Sequence, residues 1–370
     1  MATRGQTTLF LCGDVMTGRG IDQVLPHSCP PHLYEGFVTS ALDYVALAER
    51  ANGPIPRPVD YAYIWGEALG VLERVRPDVR IVNLETSITT SEAAVPKGIN
   101  YRMHPANVPV LTAARIDCCV LANNHVLDWS EPGLLDTLDA LAHAGIAMAG
   151  AGRDAAAARA PATLSLRAGG RVLVFGFGTI DSGIPRDWAA GEGRPGVHLL
   201  ADLSDDTVAD IGGLVEGSKR PGDVAVASIH WGGNWGFEIP AEHRRFAHAL
   251  IDRAGIDVVH GHSSHHPKAI EVYRDRPILY GCGDFVNDYE GITGYEEFRD
   301  DLVLMYFATL DTRTGRVLGL EMAPLRIRNF RLGTPSAEER ALLQRTLDRE
   351  CGRFGHRVVA RGETLAVEWR

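Results

Sequence analysis

Three histidines within five residues are the strongest candidates for chemistry in this sequence. His262, His265 and His266 directly follow a mostly apolar run, residues 256–259, that is typical of a buried strand. Strands of α/β folds present functional side chains at their ends, and histidine is both a common metal ligand and an acid or base near neutral pH. The spacing therefore indicates an enzyme site at this strand end.

Other strand-like runs also end in side chains that carry chemistry. These runs terminate in carboxylates, amides or imidazoles, namely Asp14, Glu85, Asn124 with His125, His230, and Asp284. Each one alone has an ordinary explanation as a helix cap, a turn or a solvated edge. Together, at the strand ends of one α/β chain, they favour convergence on a single crevice.

Aromatic and small residues follow His230 in a pattern typical of a binding pocket. Residues 231–236 combine two tryptophans and one asparagine with three glycines, which permit close backbone approach. Core packing explains the tryptophans equally well. Pro267 restricts the preceding His266 to extended backbone, so His262 and His265 are better placed to face one centre. The predicted substrate-binding residues are Trp231, Asn234, Trp235 and His266.

Composition excludes several classes of function. The 370 residues carry a formal net charge of −10, which argues against nucleic acid as the main partner. No segment approaches the ~18 apolar residues of a membrane span, and the polar start of the chain lacks a signal-peptide core. We therefore expect a cytoplasmic protein with no membrane partner. The six scattered cysteines are expected to be buried small hydrophobes.

Strand-like and helical runs alternate through most of the chain, which predicts an α/β fold. The main predicted strands are 8–12, 79–84, 118–122, 171–176, 224–229 and 258–259. The predicted helices are 40–50, within a long proline-rich loop, then 64–74, 108–114, 130–144 with Ser130 as its cap, and 241–254. Three later strands, at 278–281, 302–310 and 317–324, are expected to form a second sheet that closes a sandwich. Residues 1–335 are expected to form the catalytic domain, and 336–370 a peripheral helix and strand extension.

The order of the motifs resembles the CapA family of poly-γ-glutamate capsule synthesis, which is related to calcineurin-like metallophosphoesterases. The resemblance spans Leu9 to Gly291. It rests on Gly13-Asp14-Val15-Met16, Asn83-Leu84-Glu85, Asn123-Asn124-His125, His230-Trp231-Gly232, Gly261-His262 and Tyr280-Gly281-Cys282-Gly283-Asp284-Phe285. It implies a four-layer α/β/β/α sandwich with a metal between the sheet ends.

Departures from the phosphoesterase pattern weigh against two-metal phosphate chemistry. The resemblance implies Asp-x-His at the first motif, where this chain has Met16 in place of the histidine, and it implies Asp at Glu85. The late Gly-His-x-His motif is also one residue longer here. What remains is a site for one divalent ion, with Ca²⁺ favoured and Mg²⁺ or Mn²⁺ as alternatives. Its implied ligands are Asp14, Glu85, Asn124, His230 and His262.

The resemblance also implies inversion at Cα of a residue in a peptide. A soluble branch of the family epimerises the C-terminal residue of lasso-peptide precursors, and this chain resembles that branch. The expected substrate is a ribosomally made precursor peptide with a C-terminal tryptophan. Removing a Cα hydrogen needs a base, a cation that stabilises the resulting charge, and an acid on the opposite face. The expected catalytic residues are Asp14, His125, His230, His262, His265 and Asp284.

The sequence leaves the individual roles of these residues open. His262 or His265 is expected on one face of Cα, and His125 or His230 on the other. Asp14 and Asp284 are the expected partners of the histidines, and Asp128 could orient His125. The alternative functions are a metallophosphoesterase that acts on phosphomonoesters or phosphodiesters, and a non-catalytic subunit of capsule assembly.

Overall fold

A computed structural model describes residues 5–167 and 169–369 of the chain. Residues 1–4, where the predicted catalytic domain begins, residue 168 and residue 370 lie outside the described residues. The strands are β1 (Gln6–Val15), β2 (Val79–Leu84), β3 (Ser87–Ile88), β4 (Arg102–Met103), β5 (Cys118–Val120), β6 (Ala147–Ala149), β7 (Ala151–Gly152), β8 (Ala162–Ser165), β9 (Arg171–Gly178), β10 (Gly196–Val197), β11 (Val224–His230), β12 (Val258–His262), β13 (Ile270–Tyr273), β14 (Arg276–Leu279), β15 (Asp284–Val286), β16 (Leu302–Asp311), β17 (Val317–Arg328), β18 (Arg331–Gly333), β19 (Arg357–Arg361) and β20 (Thr364–Glu368). The α-helices are α1 (Arg19–Val24), α2 (Ala41–Asn52), α3 (Glu67–Val75), α4 (Pro109–Ala113), α5 (Ser130–His143), α6 (Ala155–Arg159), α7 (Asp205–Ser218), α8 (Ala241–Arg253) and α9 (Ala337–Gly352).

Two large sheets organise these elements. In the described part of the chain, the first sheet has the order β19-β20-β17-β16-β1-β2-β5-β6, with β15 also paired to β1 and β18 to β17. The second sheet has the order β13-β14-β12-β11-β9-β8. The central strands of the second sheet run parallel, as do β1, β2, β5 and β6 of the first. Parallel strands present their carboxyl ends at one edge, where α/β proteins place their sites.

The predicted four-layer α/β/β/α sandwich is confirmed by three apolar clusters. One cluster joins Leu11 of the first sheet to Val174 and Val226 of the second, so the two sheets pack face to face. The alternate residues of β1, such as Phe10, face helices α1 to α5. The outer face of the second sheet packs on α7 and α8, where Phe246 is buried. The sheets therefore form the two inner layers, and the helices form the two outer layers.

The expected second sheet of late strands is not what forms. Strand β16 pairs antiparallel with β1, and β17 pairs with β16, so both extend the first sheet. Strand β14 instead joins β12 in the second sheet. The prediction that β16 and β17 form a hairpin is correct. The periodicity of a hairpin in the sequence does not specify which strand it pairs with.

Ser130 does not cap helix α5 as its sequence suggests. It is the first helical residue, with φ +58°, and its hydroxyl donates to the carbonyl oxygen of Ala93 at 2.7 Å. Trp129 occupies the position before the helix and makes no side-chain cap. The serine thus anchors the preceding loop rather than the helix.

Residues 336–369 add a helix and a hairpin to the first sheet. Helix α9 begins with a reciprocal capping box between Ser336 and Glu339. Strand β20 pairs with β17, and β19 pairs with β20 at the end of the sheet. The six cysteines are buried and unpaired, as the sequence predicts. Across residues 5–167 and 169–369, no helix has both the length and the apolarity to cross a bilayer.

Strand register brings the polar strand ends together. Asp14 on β1 lies beside Asp284 on one side and Asn83 on the other. In the second sheet, His230 lies beside His262. The site is therefore built from both sheets, with carboxylates from the first and imidazoles from the second.

Gly13 holds β1 against the loop that precedes Asp284. A Cβ atom on Gly13 would lie 1.6 Å from the carbonyl oxygen of Gly283. We therefore predict that Gly13→Ala lowers the free energy of unfolding by at least ~2 kcal/mol, because a backbone contact cannot relax like a side chain. The control is Gly319→Ala in β17, where a Cβ meets nothing within 4 Å and should change stability by no more than ~1 kcal/mol. Urea denaturation measures both, and equal values would contradict the prediction.

Candidate metal and active site

Two buried carboxylates end strands β1 and β2, and one amide joins them. Asn83 donates from Nδ2 to Asp14 Oδ1 at 2.7 Å and to Glu85 Oε2 at 3.1 Å. Asn123 in turn donates to Asn83 Oδ1 at 3.0 Å. Burial, and then the charge of Asp284, raises the pKa of Asp14 to about 7. Burial and the neighbouring Asp14 also raise the pKa of Glu85 well above its usual value. Such a cluster is stabilised by a bound cation.

Two buried imidazoles face these carboxylates from the second sheet. His230 Nδ1 lies 2.9 Å from His262 Nδ1 and 4.0 Å from Glu85 Oε2. His262 Nδ1 lies 3.8 Å from Asp14 Oδ1. Burial lowers the pKa of both histidines well below the ordinary value, and neighbouring imidazoles add to the effect. Both rings are therefore neutral, which is the form that binds metal ions.

Asn124 orients His230 rather than pointing its oxygen at the carboxylates. Its Oδ1 lies 3.1 Å from His230 Nε2. Because an amide oxygen only accepts hydrogen bonds, this contact assigns the ring hydrogen of His230 to Nε2. The lone pair on His230 Nδ1 then faces the cluster. This contact favours a supporting role for Asn124, which the sequence predicts as a metal ligand.

These residues fit one divalent cation. Ligand atoms of Asp14, His230 and His262 all lie within 4.8 Å of one another, and Glu85 adds a second carboxylate. A separation of 2.9 Å between two imidazole nitrogens suits neighbouring ligands with metal–nitrogen bonds of ~2.1 Å. Buried Asp and His groups of this kind could bind a metal ion.

A second group of possible ligands consists of Asp14, His265 and Asp284. In this group both ring nitrogens of His265 already have partners. Nδ1 lies 2.9 Å from Asp284 Oδ1, and Nε2 lies 3.0 Å from the Nδ2 atom of Asn234. In the first group the Nδ1 atoms of His230 and His262 contact each other rather than a carboxylate, so this group is the better candidate for the ion.

The two contacts of His265 act in opposite directions: the Asp284 carboxylate favours the charged ring, whereas the Asn234 amide nitrogen, which only donates, fits the neutral ring with a lone pair on Nε2. Burial alone would lower the pKa of His265, but the adjacent Asp284 carboxylate overrides it and raises the pKa. Asn287 donates to the other oxygen of Asp284 at 2.7 Å and keeps that carboxylate in place. The sequence predicts Asp14 and Asp284 as partners of the histidines without specifying the pairs, and Asp284 contacts His265.

A second His–Asp pair has the opposite electrostatic balance. His125 Nδ1 lies 2.7 Å from Asp128 Oδ2, so Asp128 and not Asp14 orients this ring. Lys97 shares the same carboxylate, at 2.7 Å from Oδ1. Burial lowers the pKa of His125 to about 4, against the attraction of Asp128 and with Lys97 adding to the lowering. Its Nε2 lies 3.8 Å from Glu85 Oε1, beyond hydrogen-bonding distance.

Two tyrosines that the sequence did not single out connect the His–Asp pairs. The Tyr101 ring meets His125 edge-on at 4.4 Å, and the Tyr289 ring meets His265 at 5.3 Å between centroids. Their hydroxyl oxygens lie 2.9 Å apart. The Arg19 guanidinium lies 4.5 Å from the Tyr101 ring centroid and fixes this side of the site. His125 and His265 therefore lie on either side of this pair of tyrosines.

The structure divides the predicted substrate-binding residues into two sets. Trp231 is 2% exposed and stacks on His243, so it belongs to the packed interior. His266, which the sequence predicts to bind substrate, is fully buried and packs against aromatic rings. Asn234 is exposed and contacts His265, while the partly buried Trp235 lies 5.1 Å from the same ring. Only the second set is placed to meet a ligand.

Residues 8–289 match the family described as "Bacterial capsule synthesis protein PGA_cap". The chain belongs to this family. A "Probable polyglutamine synthesis accessory protein" of Mycobacterium tuberculosis is 51% identical to this PGA_cap chain over 360 residues, covering 97% of it and 94% of the relative. The "PGA biosynthesis protein CapA" of Bacillus subtilis is 26% identical over 341 residues, covering 91% of this chain and 76% of the relative.

A solved structure described as a "novel phosphatase" from Mycoplasma pneumoniae aligns with 88% of this PGA_cap chain and 95% of its own chain. The sequence identity is 10% and the TM-score is 0.47.

Neither of the two relatives above is named as a peptide epimerase. The names of those relatives concern polymer synthesis.

The two groups of possible ligands make different predictions for metal binding. His230→Ala should weaken Mn²⁺ binding by more than the ~100-fold that removal of a ligand's supporting partner costs, because it deletes a donor. The matched control, His265→Ala, should change Mn²⁺ affinity by no more than about threefold, which is well below the 10- to 100-fold cost of losing a supporting partner. Isothermal titration calorimetry measures both. If His265→Ala loses the ion and His230→Ala keeps it, the ion lies in the second group.

Proposed function

We propose that this chain is a metal-dependent epimerase that inverts the Cα centre of a residue in a peptide. One observation carries the proposal: two His–Asp pairs with opposite protonation preferences lie beside a buried cluster suited to a cation. His125 is neutral and can accept a proton, whereas His265 is biased toward the cation that can donate one. Opposed pKa shifts within one site are typical of paired acid and base catalysts.

The two histidines divide the proton transfers. His125 removes the Cα hydrogen through Nε2, while Asp128 accepts a hydrogen bond from Nδ1 and stabilises the imidazolium. His265 delivers a proton to the opposite face, and Asp284 holds its ring in place. The reverse reaction exchanges the two roles. Of the alternatives that the sequence leaves open, this proposal selects His125 and His265 as proton carriers.

Asp14, Glu85, His230 and His262 would hold the ion. When bound, the ion supplies positive charge that stabilises the negative charge developing on the carbonyl group beside Cα. Two imidazoles among the ligands suit Mn²⁺ better than Ca²⁺, which takes oxygen ligands. The preference for Ca²⁺ that the sequence suggests is therefore replaced by Mn²⁺.

The surface beside His265 favours an aromatic residue as the one that is inverted. Trp235 stacks on Tyr295 at 4.0 Å, and Tyr295 is 45% exposed. Such rings offer a face to an indole side chain, as in a precursor peptide that ends in tryptophan. The names of the relatives also support glutamine- or glutamate-containing peptides as a second class to test. We place the reaction in the cytoplasm, without a nucleic-acid or membrane partner.

A metallophosphoesterase is the second candidate, because carboxylates and imidazoles also hold the ions of such enzymes. Met16 weighs against it. At this position, where the phosphoesterase pattern has a histidine ligand, the methionine is 1% exposed and its sulfur lies 3.5 Å from the Tyr289 hydroxyl. A thioether in this place is a poor ligand for a hard second ion.

Solvent exchange separates the two candidates. The Mn²⁺-loaded protein should incorporate one deuterium at Cα of the cognate residue in D₂O and yield both epimers, because the proton that returns comes from an imidazole in exchange with solvent. Mass spectrometry and chiral analysis of the hydrolysed peptide measure this. Precursor peptides ending in tryptophan and glutamyl peptides should be tested in parallel. Release of phosphate from aryl phosphates, with no deuterium uptake by any peptide, would favour the phosphoesterase.

A further inference from the structure

A chain of hydrogen bonds leads from His262 away from the carboxylates into the space between the sheets. His262 Nε2 lies 3.0 Å from Ser228 Oγ, and Ser228 Oγ lies 3.0 Å from His260 Nδ1. His260 Nε2 then lies 2.8 Å from the carbonyl oxygen of Cys12 on β1. All four residues are fully buried. Ser228 and His260 have no part in the proton transfers proposed above.

The direction of each hydrogen bond follows from the last acceptor. A carbonyl oxygen only accepts, so His260 carries a hydrogen on Nε2. Because His260 is fully buried and contacts only uncharged groups through its nitrogens, it is neutral, and its Nδ1 accepts from Ser228. The single hydroxyl hydrogen of Ser228 is then used in the hydrogen bond to His260 Nδ1. Its oxygen must accept from His262 Nε2.

We infer that Ser228 and His260 are positioning residues that fix the tautomer of His262, with hydrogen on Nε2 and the lone pair of Nδ1 facing the carboxylate cluster. This inference rests on the proposed metal site and deepens it. His230 has the same polarity, because Asn124 engages its Nε2. Two nitrogen lone pairs therefore meet at 2.9 Å, an arrangement that a cation between them stabilises.

The same polarity excludes a proton relay along this chain. A proton entering at His262 would have to leave through the Cys12 carbonyl oxygen, which is committed to the backbone of β1. Each member holds its hydrogen toward Cys12, so the chain ends there. His262 therefore acts as a metal ligand whose tautomer is fixed in advance, and not as an acid or base.

Strand register explains why these four side chains meet. Ser228 and His230 occupy alternate positions of β11, and His260 and His262 occupy the positions beside them on β12. Alternate residues of a strand face the same side of the sheet. The pattern Ser-x-His beside His-x-His therefore forms a block of two ligands and two supporting residues.

Nitrogen-15 spectroscopy of metal-free protein tests the assignment directly. Two-bond ¹⁵N–¹H correlation spectra of histidine-labelled protein should show His262 protonated at Nε2. Ser228→Ala, which removes only the hydroxyl, should shift His262 toward a mixture of tautomers. It should also weaken Mn²⁺ binding by ~10- to 100-fold, the usual cost of losing a ligand's supporting partner. Ser228→Thr, which keeps the hydroxyl, should restore both the spectrum and the affinity.

A native His262 that carries its hydrogen on Nδ1 would overturn the inference, and this measurement requires no variant. A folded Ser228→Ala protein with native tautomers and native Mn²⁺ affinity would also overturn it. These spectra need neither substrate nor metal. A native protein that shows the expected tautomer but no Cα exchange would therefore disprove the epimerase proposal and leave the tautomer assignment standing.

Discussion

The burial of negative charge at the edge where the two sheets meet is the constraint on which the rest of the site depends. Asp14 and Glu85 lie at the ends of β1 and β2, and Asp284 begins β15 beside Asp14. Each of the three carboxylates is almost fully shielded from solvent. Water cannot stabilise three carboxylates there, so protons, amide donors or a cation must do so. Asn83 satisfies two of them with its amide group, and a bound ion would offset the remaining charge.

The imidazoles divide into two classes according to what their nitrogens contact. His230 and His262 meet an amide oxygen and a hydroxyl, which direct lone pairs at the cluster, while burial keeps both rings neutral. His125 and His265 each meet an aspartate, which can stabilise a transient positive charge. Ligands and proton carriers are thus distinguished by their partners, although all four histidines lie within one site.

The sequence predicts the site's strand ends better than it predicts its internal contacts. Periodicity and apolar runs locate the strands that carry Asp14, Glu85 and His230, and strand-end chemistry then predicts that they converge. The roles of Asn124 and Trp231 could not be predicted, because they depend on which neighbour each side chain contacts across the sheet. Ser228 and His260 gave a signal, alternation with His230 and His262, but its meaning depends on the register of β11 with β12. The placement of β16 and β17 likewise depends on long-range pairing with β1.

The central claim is that His125 and His265 exchange protons with opposite faces of Cα while His230 and His262 hold the ion. The most direct measurement is deuterium uptake by the separate L- and D-epimers of the substrate peptide, using Mn²⁺-loaded His125→Asn and His265→Asn. The account predicts that neither variant epimerises, and that each still exchanges the Cα hydrogen of one epimer only, with opposite epimers for the two variants. Exchange of the same epimer by both variants, or full epimerisation by either, would contradict it.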